Sequence, residues 1–350
     1  MPVRSSTRRV LGVTPPPVGP ERPSAPRRLG VPFGPRDGSL PSSRNAGPGS
    51  WLSVRSRGAI PHTGPEDTSG DPTTVGSVTS GVDLPDPPLR VKEQGGGYGL
   101  GRFTGPLFVN GPSAEDVRQG SIGDCYFMAV LGAVAHTDGA QIEKVIKDNG
   151  DGTYTCRFFE KGTHEPAEVK IDADLWVRSN GAPLYASAVE HRTDAKKMEL
   201  WVALVQKGYA AWKGGFEKMG NGGKKTRVLE ELYGHKAKFA KVANNTDNQI
   251  YNTLKKNTDN GWPAVVSTYG NSAPESARYN NIRLSAHHCY SVLGVSKVDG
   301  QRYVHLRNPW GSTEPGNDGK NDGIFKMKLE EVMYYFSELA WICTNSSSAD

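Results

Sequence analysis

The longest unbroken gathering of apolar positions is CYFMAVLGAVA, Cys125 to Ala135, which leaves no polar face. A run that is apolar all round predicts a buried helix. Downstream, GTYTCRFFE (152–160) and AEVKIDADLWV (167–177) alternate and predict strands. The segment KKMELWVALVQKGYAAWKG (196–214) has Leu200, Leu204 and Tyr209 at helical spacing, with Gly214 and Gly215 as its stop. The pattern then changes character. GWPAVVSTYG (261–270) is a short β run, and HHCYSVLGVSKV (287–298) and QRYVHLRNPW (301–310) flank Asp299-Gly300, a hairpin signal. GIFKMKLEEVMYYFSELAWI (323–342) reads as strand, short helix and final strand. A helix-rich region therefore precedes a sheet-rich one, an α+β order, with the join near Gly234.

Residues 1–95 do not follow either period. TPPPVGPERPSAPRRLGVPFGPRDGSLPSS has few apolar anchors, and such composition buries too little surface to offset chain entropy. These residues are expected to form a disordered leader. STRRVLG near the start is followed by prolines rather than an apolar stretch, which argues against a signal peptide. A cytoplasmic location is expected, with export by a route needing no such peptide left open.

Composition narrows the classes further. The 350 residues carry 42 Lys and Arg against 37 Asp and Glu, a net charge of +5. The basic residues are spread along the chain rather than gathered on a stripe, so nucleic acid is not expected as a partner. No stretch approaches the roughly 20 apolar residues that span a bilayer. The 4 cysteines, Cys125, Cys156, Cys289 and Cys343, are far apart, which excludes a zinc knuckle and a tight disulfide framework.

Cys125 follows Gly123-Asp124 and opens the buried helix. Unpaired N–H groups and partial positive charge at a helix start favour thiolate, the nucleophilic form. Gln119, six positions earlier across a glycine-containing turn, can supply an amide N–H beside the N–H of Cys125. Two such donors converging beside a nucleophile make an oxyanion hole. His287 and His288 begin the predicted hairpin, and Asn308 falls within about three positions of facing His288, an offset that a bulge could absorb. A carboxamide oxygen can accept an imidazole N–H and fix the ring, and Trp310 could screen that contact from water. Only one of the two histidines can join Asn308, and spacing leaves the choice open. A buried structural cysteine and a cross-strand pair without chemistry are the competing readings.

QGSIGDCYFMAVLGAVA, HHCYSVLGV and LRNPWGSTE resemble, in order, the three active-site blocks of the calpain family of cysteine proteases. ELWVALVQKGYAAW and DGIFKMKLEEVMYYFSEL resemble further segments of that family, so the likeness runs from about Gly96 to Thr344. The resemblance implies a papain-like α+β fold of two lobes, 96–234 and 235–345, with the cleft between them. It implies Cys125 as nucleophile, Gln119 as oxyanion donor, His288 as the histidine and Asn308 as its orienting partner, in an endopeptidase acting on protein substrates, expected as a monomer. Two positions depart from the pattern: Tyr126 stands where tryptophan is usual, and His287-His288-Cys289 replaces Gly-His-Ala. The family also implies two calcium ions. Asp116 and Glu199 match acidic positions of the first site, and Glu314 and Asp322 of the second, where Ile324 replaces a further glutamate. Asp318 is a candidate replacement. The alternatives weighed are a transglutaminase-like acyl transferase, whose third residue is usually aspartate, and a catalytically silent binding module.

Overall fold

The computed structural model describes residues 82–188, 198–316 and 318–344. Most of the expected leader lies outside the described residues. Its last part, from Val82, runs along the body of the protein: Leu84 N donates to Asp172 Oδ2 at 2.7 Å, and Trp176 Nε1 donates to Pro87 O at 2.9 Å.

In chain order the first half carries strands β1 (Gly99–Arg102) and β2 (Val117–Arg118), then helices α1 (Cys125–Thr137) and α2 (Gly139–Val145). Strands β3 (Ile146–Asp148), β4 (Thr153–Phe159), β5 (Pro166–Asp172), β6 (Asp174–Val177) and β7 (Ser187–Ala188) follow. Helices α3 (Trp201–Lys213), α4 (Phe216–Met219) and α5 (Lys225–Tyr233) complete it. The alternating segment 167–177 is two strands rather than one. It breaks at Ala173, so that β5 joins β3 and β4 while β6 turns away to pair with β1. The buried Asp172 explains the break: its carboxylate accepts from the N–H groups of Leu84 and Asp174 and from Lys207 Nζ.

α1 is buried from Tyr126 to Ala135, as its uniform apolarity requires, and packs with Trp201, Leu204 and Leu229 of α3 and α5 into one core. α3 ends at Gly214, whose φ of +82° is the left-handed cap that glycine adopts without strain.

The second half is built on one antiparallel sheet of β8 (Lys238–Lys241), β9 (Ala264–Thr268), β10 (Cys289–Val298), β11 (Gln301–Arg307), β12 (Ile324–Lys328) and β13 (Phe336–Trp341), in the spatial order β12-β11-β10-β9-β13-β8. Helices α6 (Asp247–Asp259) and α7 (Leu329–Tyr335) accompany it. β10 and β11 turn back at Asp299-Gly300, with φ values of +49° and +82°. Ile250, Tyr290, Leu306 and Phe336 anchor a second core. Among the described residues no helix is long and apolar enough to cross a membrane.

The two halves meet through polar contacts that bear on the site. Ser291 Oγ donates to Ala129 O at 2.7 Å, joining β10 to α1. Lys225 Nζ of α5 reaches Ser267 Oγ at 2.9 Å and Glu338 Oε2 at 2.5 Å. Arg307, 1% exposed, donates through Nη2 to Val117 O at 2.8 Å and Glu115 O at 3.1 Å.

Candidate active site

The loop from Gln119 to Asp124 leads into Cys125, the first residue of α1. Its glycines are demanded by close approach. A Cβ on Gly120 would stand 2.1 Å from Tyr185 O, and one on Gly123 2.6 Å from Gly220 O. Both are backbone atoms and cannot step aside. No side chain caps the start of α1, where Asp124 holds the N-cap position. Asp124 is fully buried, and burial pushes its carboxyl up to about 7 even though Gln206 Nε2 donates to it at 2.6 Å.

The hairpin delivers the imidazole. His288 is 4% exposed, and its Nε2 lies 2.9 Å from Asn308 Oδ1. Asn308 is itself fixed: its Nδ2 donates to Thr313 O at 2.8 Å, and its Oδ1 also accepts from Trp310 N at 3.1 Å. A carboxamide held at both ends can serve the ring only through its oxygen. The Trp310 ring stands 4.5 Å from the imidazole, centroid to centroid, where it covers the contact. A bulge between Val292 and Gly294 in the β10–β11 ladder takes up one position of the offset; the register Ser291↔Arg307, continued by one residue, sets Asn308 opposite Tyr290, two residues from His288 and on the same side of the strand. Spacing alone left two histidines open. His287 has a φ of +53° and donates its backbone N–H to Tyr269 O at 2.7 Å, while His288 meets Asn308.

The Cys125 thiol is held well below its ordinary range. The chief cause is a hydrogen bond from the Cys289 thiol; partial burial opposes it, and the His288 imidazole adds a hydrogen bond and its charge. Cys289 moves the other way, well above its ordinary range, because it gives its hydrogen to Cys125 and is buried. The two thiols are therefore unequal, Cys125 the more acidic and Cys289 the less. Cys156 is pushed up to about 12 by full burial and sits away from the site, against Leu204 O.

Gln119 departs from the simplest expectation. Its backbone N–H donates to Pro309 O at 2.8 Å, which ties it to the segment carrying Asn308. Its side-chain Nε2 donates to Ile122 O at 2.6 Å. An amide nitrogen has two hydrogens, so this bond spends one and fixes the group with the second unspent.

The four acids matched to calcium positions fall in pairs. Asp116 accepts from Ser113 N at 2.7 Å and Trp201 Nε1 at 3.0 Å, and Glu199 accepts from Val109 N at 2.7 Å. Both are buried and gather one loop, 109–116. Carboxylate oxygens are the ligand type a hard cation takes, though here they accept from N–H groups. In the second pair, Glu314 accepts from Gly323 N at 3.0 Å and Asp322 from Ile324 N at 2.9 Å. Asp318 accepts from Lys320 N at 3.0 Å. A tighter acidic group, Asp83, Asp172 and Asp174, went unnoticed in the sequence. Two of its three carboxylates already face cations: Lys207 Nζ lies 2.6 Å from Asp172 and Arg102 Nε 2.5 Å from Asp174.

An imidazole held by a carboxamide, and an acidic thiol at the head of a buried helix, on a frame of helices and antiparallel sheets, point to a class that comparison with known proteins makes specific. The family profile described as calpain family cysteine protease matches residues 102–318, and the chain belongs to that family. Mouse calpain-8 is 30% identical over 270 residues, covering 69% of this chain and 37% of the relative. The rat calpain-2 catalytic subunit is 26% identical over 263 residues, 67% of this chain and 36% of the relative. A calpain-type cysteine protease of Arabidopsis thaliana is 29% identical over 251 residues, 67% of this chain but 11% of the relative. The chain therefore spans a little over a third, or far less, of the length of these relatives.

Proposed function

We propose that this chain is a cysteine endopeptidase of papain-like, two-lobed build, with residues 96–234 as one lobe, 235–345 as the other and the cleft between them. The observation that carries the reading is the 2.9 Å contact of His288 Nε2 with Asn308 Oδ1, which leaves the other ring nitrogen for a Cys125 sulfur already favoured as thiolate. The thiolate of Cys125 attacks a peptide carbonyl carbon. The N–H of Cys125 and the spare N–H of Gln119 receive the oxyanion, which in comparable sites is worth about 3 kcal/mol per donor. His288 gives its proton to the leaving amine. It then takes one from the water that releases the acyl group, and Cys125 leaves as thiolate. Asn308 keeps the ring in line throughout.

Protein substrates follow from the family. A monomer in the cytoplasm is the simplest setting. Asp116 with Glu199, and Glu314 with Asp322, would hold calcium. The ion would supply no chemistry to the reacting bond, only cohesion to the loops that carry its ligands. The first pair is the better candidate, since Ile324 removes a carboxylate from the second. The amide at Asn308, where a carboxylate is usual, weighs against a transglutaminase-like acceptor chemistry, and the retention of both Cys125 and His288 weighs against a silent module.

The test is casein cleavage by the full chain and by Cys125→Ala, each with and without calcium. Cleavage by the wild type alone supports the proposal, and equal cleavage by both proteins ends it.

A further inference from the structure

All the cysteines are free, and one of them, Cys289, lies close enough to Cys125 to lower its thiol, yet no bond to it forms or breaks in the mechanism above. Helix α1 lies along β10 in a regular way. Ser291 Oγ bonds Ala129 O at 2.7 Å, and a Cβ on Gly132 would come 2.8 Å from the same Oγ. Further along both elements, His136 Nε2 lies 2.8 Å from Leu293 O. Stepping back two residues from Ser291 covers about 7 Å of strand. Stepping back four from Ala129 covers about 6 Å of helix. Both steps end at cysteines, Cys289 and Cys125. Alternation along the strand keeps Cys289 on the face of Ser291, towards the helix. This register of a regular helix on a regular strand sets the two cysteines opposite one another. Cys289 is 8% exposed, whereas Cys125 is partly open to solvent, so a small oxidant meets Cys125 first.

We propose that Cys125 and Cys289 form an oxidative modification site, in which hydrogen peroxide converts Cys125 to a sulfenic acid and Cys289 resolves it as a reversible disulfide. The first step breaks the peroxide O–O bond. The Cys125 thiolate takes one oxygen, losing two electrons to the peroxide, and the other oxygen leaves as hydroxide and becomes water. In the second step the Cys289 sulfur attacks the Cys125 sulfur and the S–O bond breaks. The hydroxyl departs with the Cys289 proton as a second water. Two thiols and one peroxide thus give one disulfide and two waters, and a dithiol reductant reverses the change by exchange. Without a neighbour to resolve it, a sulfenic acid in peroxide proceeds to sulfinic and sulfonic acids, which ordinary thiols do not restore. Cys289 therefore both silences the nucleophile and protects it. The inference rests on the thiolate character of Cys125 but not on proteolysis.

The test is peptide mapping by mass of the full chain after hydrogen peroxide, digested without reductant. The expected result is a peptide pair joined through Cys125 and Cys289, lighter by two hydrogens and parted by dithiothreitol. Cys289→Ala should instead accumulate two or three oxygens on Cys125 that dithiothreitol does not remove. Cys289→Ser serves the same purpose should the alanine variant fold poorly. Absence of the joined peptides from the wild type, or the same oxygen adducts in wild type and variant, would overturn the inference. A protein that cross-links but leaves casein intact would sink the peptidase reading alone.

Discussion

Asn308 offers the sharpest quantitative handle on the account. Replacing it with alanine removes the acceptor 2.9 Å from His288 Nε2 and also releases Trp310 N and Thr313 O. A hydrogen bond to a charged group is worth about 1.5–3 kcal/mol. At about 1.4 kcal/mol per decade, kcat/KM should fall roughly ten- to a hundredfold. How the loss divides is more telling than its size. The bond holds the ring in line for proton transfer, so kcat on a fluorogenic peptide should fall while KM stays nearly unchanged. The acid limb of the kcat/KM profile reports the Cys125 thiol, and it should stay well below the ordinary thiol range because the groups that lower it, Cys289 first, are still in place. Asn308→Asp supplies the control, since a carboxylate oxygen there can still accept from the ring and should restore part of kcat. If Asn308→Asp lost as much as the alanine variant, or if the loss fell on KM, Asn308 would be packing rather than orienting, and the reasoning would fail.

Further outcomes follow from neighbouring contacts. Arg307→Met frees the carbonyls of Glu115 and Val117 just ahead of Gln119. kcat on a peptide should fall by about tenfold or more with Cys125 alkylation unchanged in its pH dependence and with partial rescue by Arg307→Lys; parallel loss of both readouts would refute a positioning role. Lys207→Met takes the ammonium 2.6 Å from the fully buried Asp172 and leaves Arg102, at 3.6 Å, as its cation, at a cost of about 1.5–3 kcal/mol read by urea unfolding; a change under about 1 kcal/mol would contradict this. Asp116→Asn should shift any calcium dependence of casein cleavage to higher concentration, and an unshifted titration would remove the first pair as the calcium site.

What the sequence displayed and what it hid divide along physical lines. Local signals were readable: the all-round apolar run became α1, Gly214 capped α3, and Asp299-Gly300 turned β10 into β11. α6 was missed although Thr246 and Gln249 form a capping box, a signal present in the letters themselves. Long-range pairings left no such trace. Nothing local says that β13 inserts between β8 and β9, or that Lys207 of α3 ties down the segment at Asp86. In the candidate site, the chemical types of Cys125, His288 and Asn308 could be proposed from order and spacing. The identity of the histidine could not, because it depends on the left-handed turn at His287 that presents His288 to Asn308. Cys289 was visible as an extra thiol, but its contact with Cys125 follows from how a helix lies on a strand, which spacing does not encode.

The claim on which the rest depends is that folding sets the Cys125 sulfur beside the His288 imidazole as a thiolate. The most direct measurement is the pH dependence of iodoacetamide alkylation at Cys125, located by mass, in wild type and His288→Ala. The account predicts rapid alkylation already well below neutral pH in the wild type, and a shift of the onset toward the ordinary thiol range in the variant. Coincident curves, or a wild-type onset at the ordinary thiol value, would contradict it.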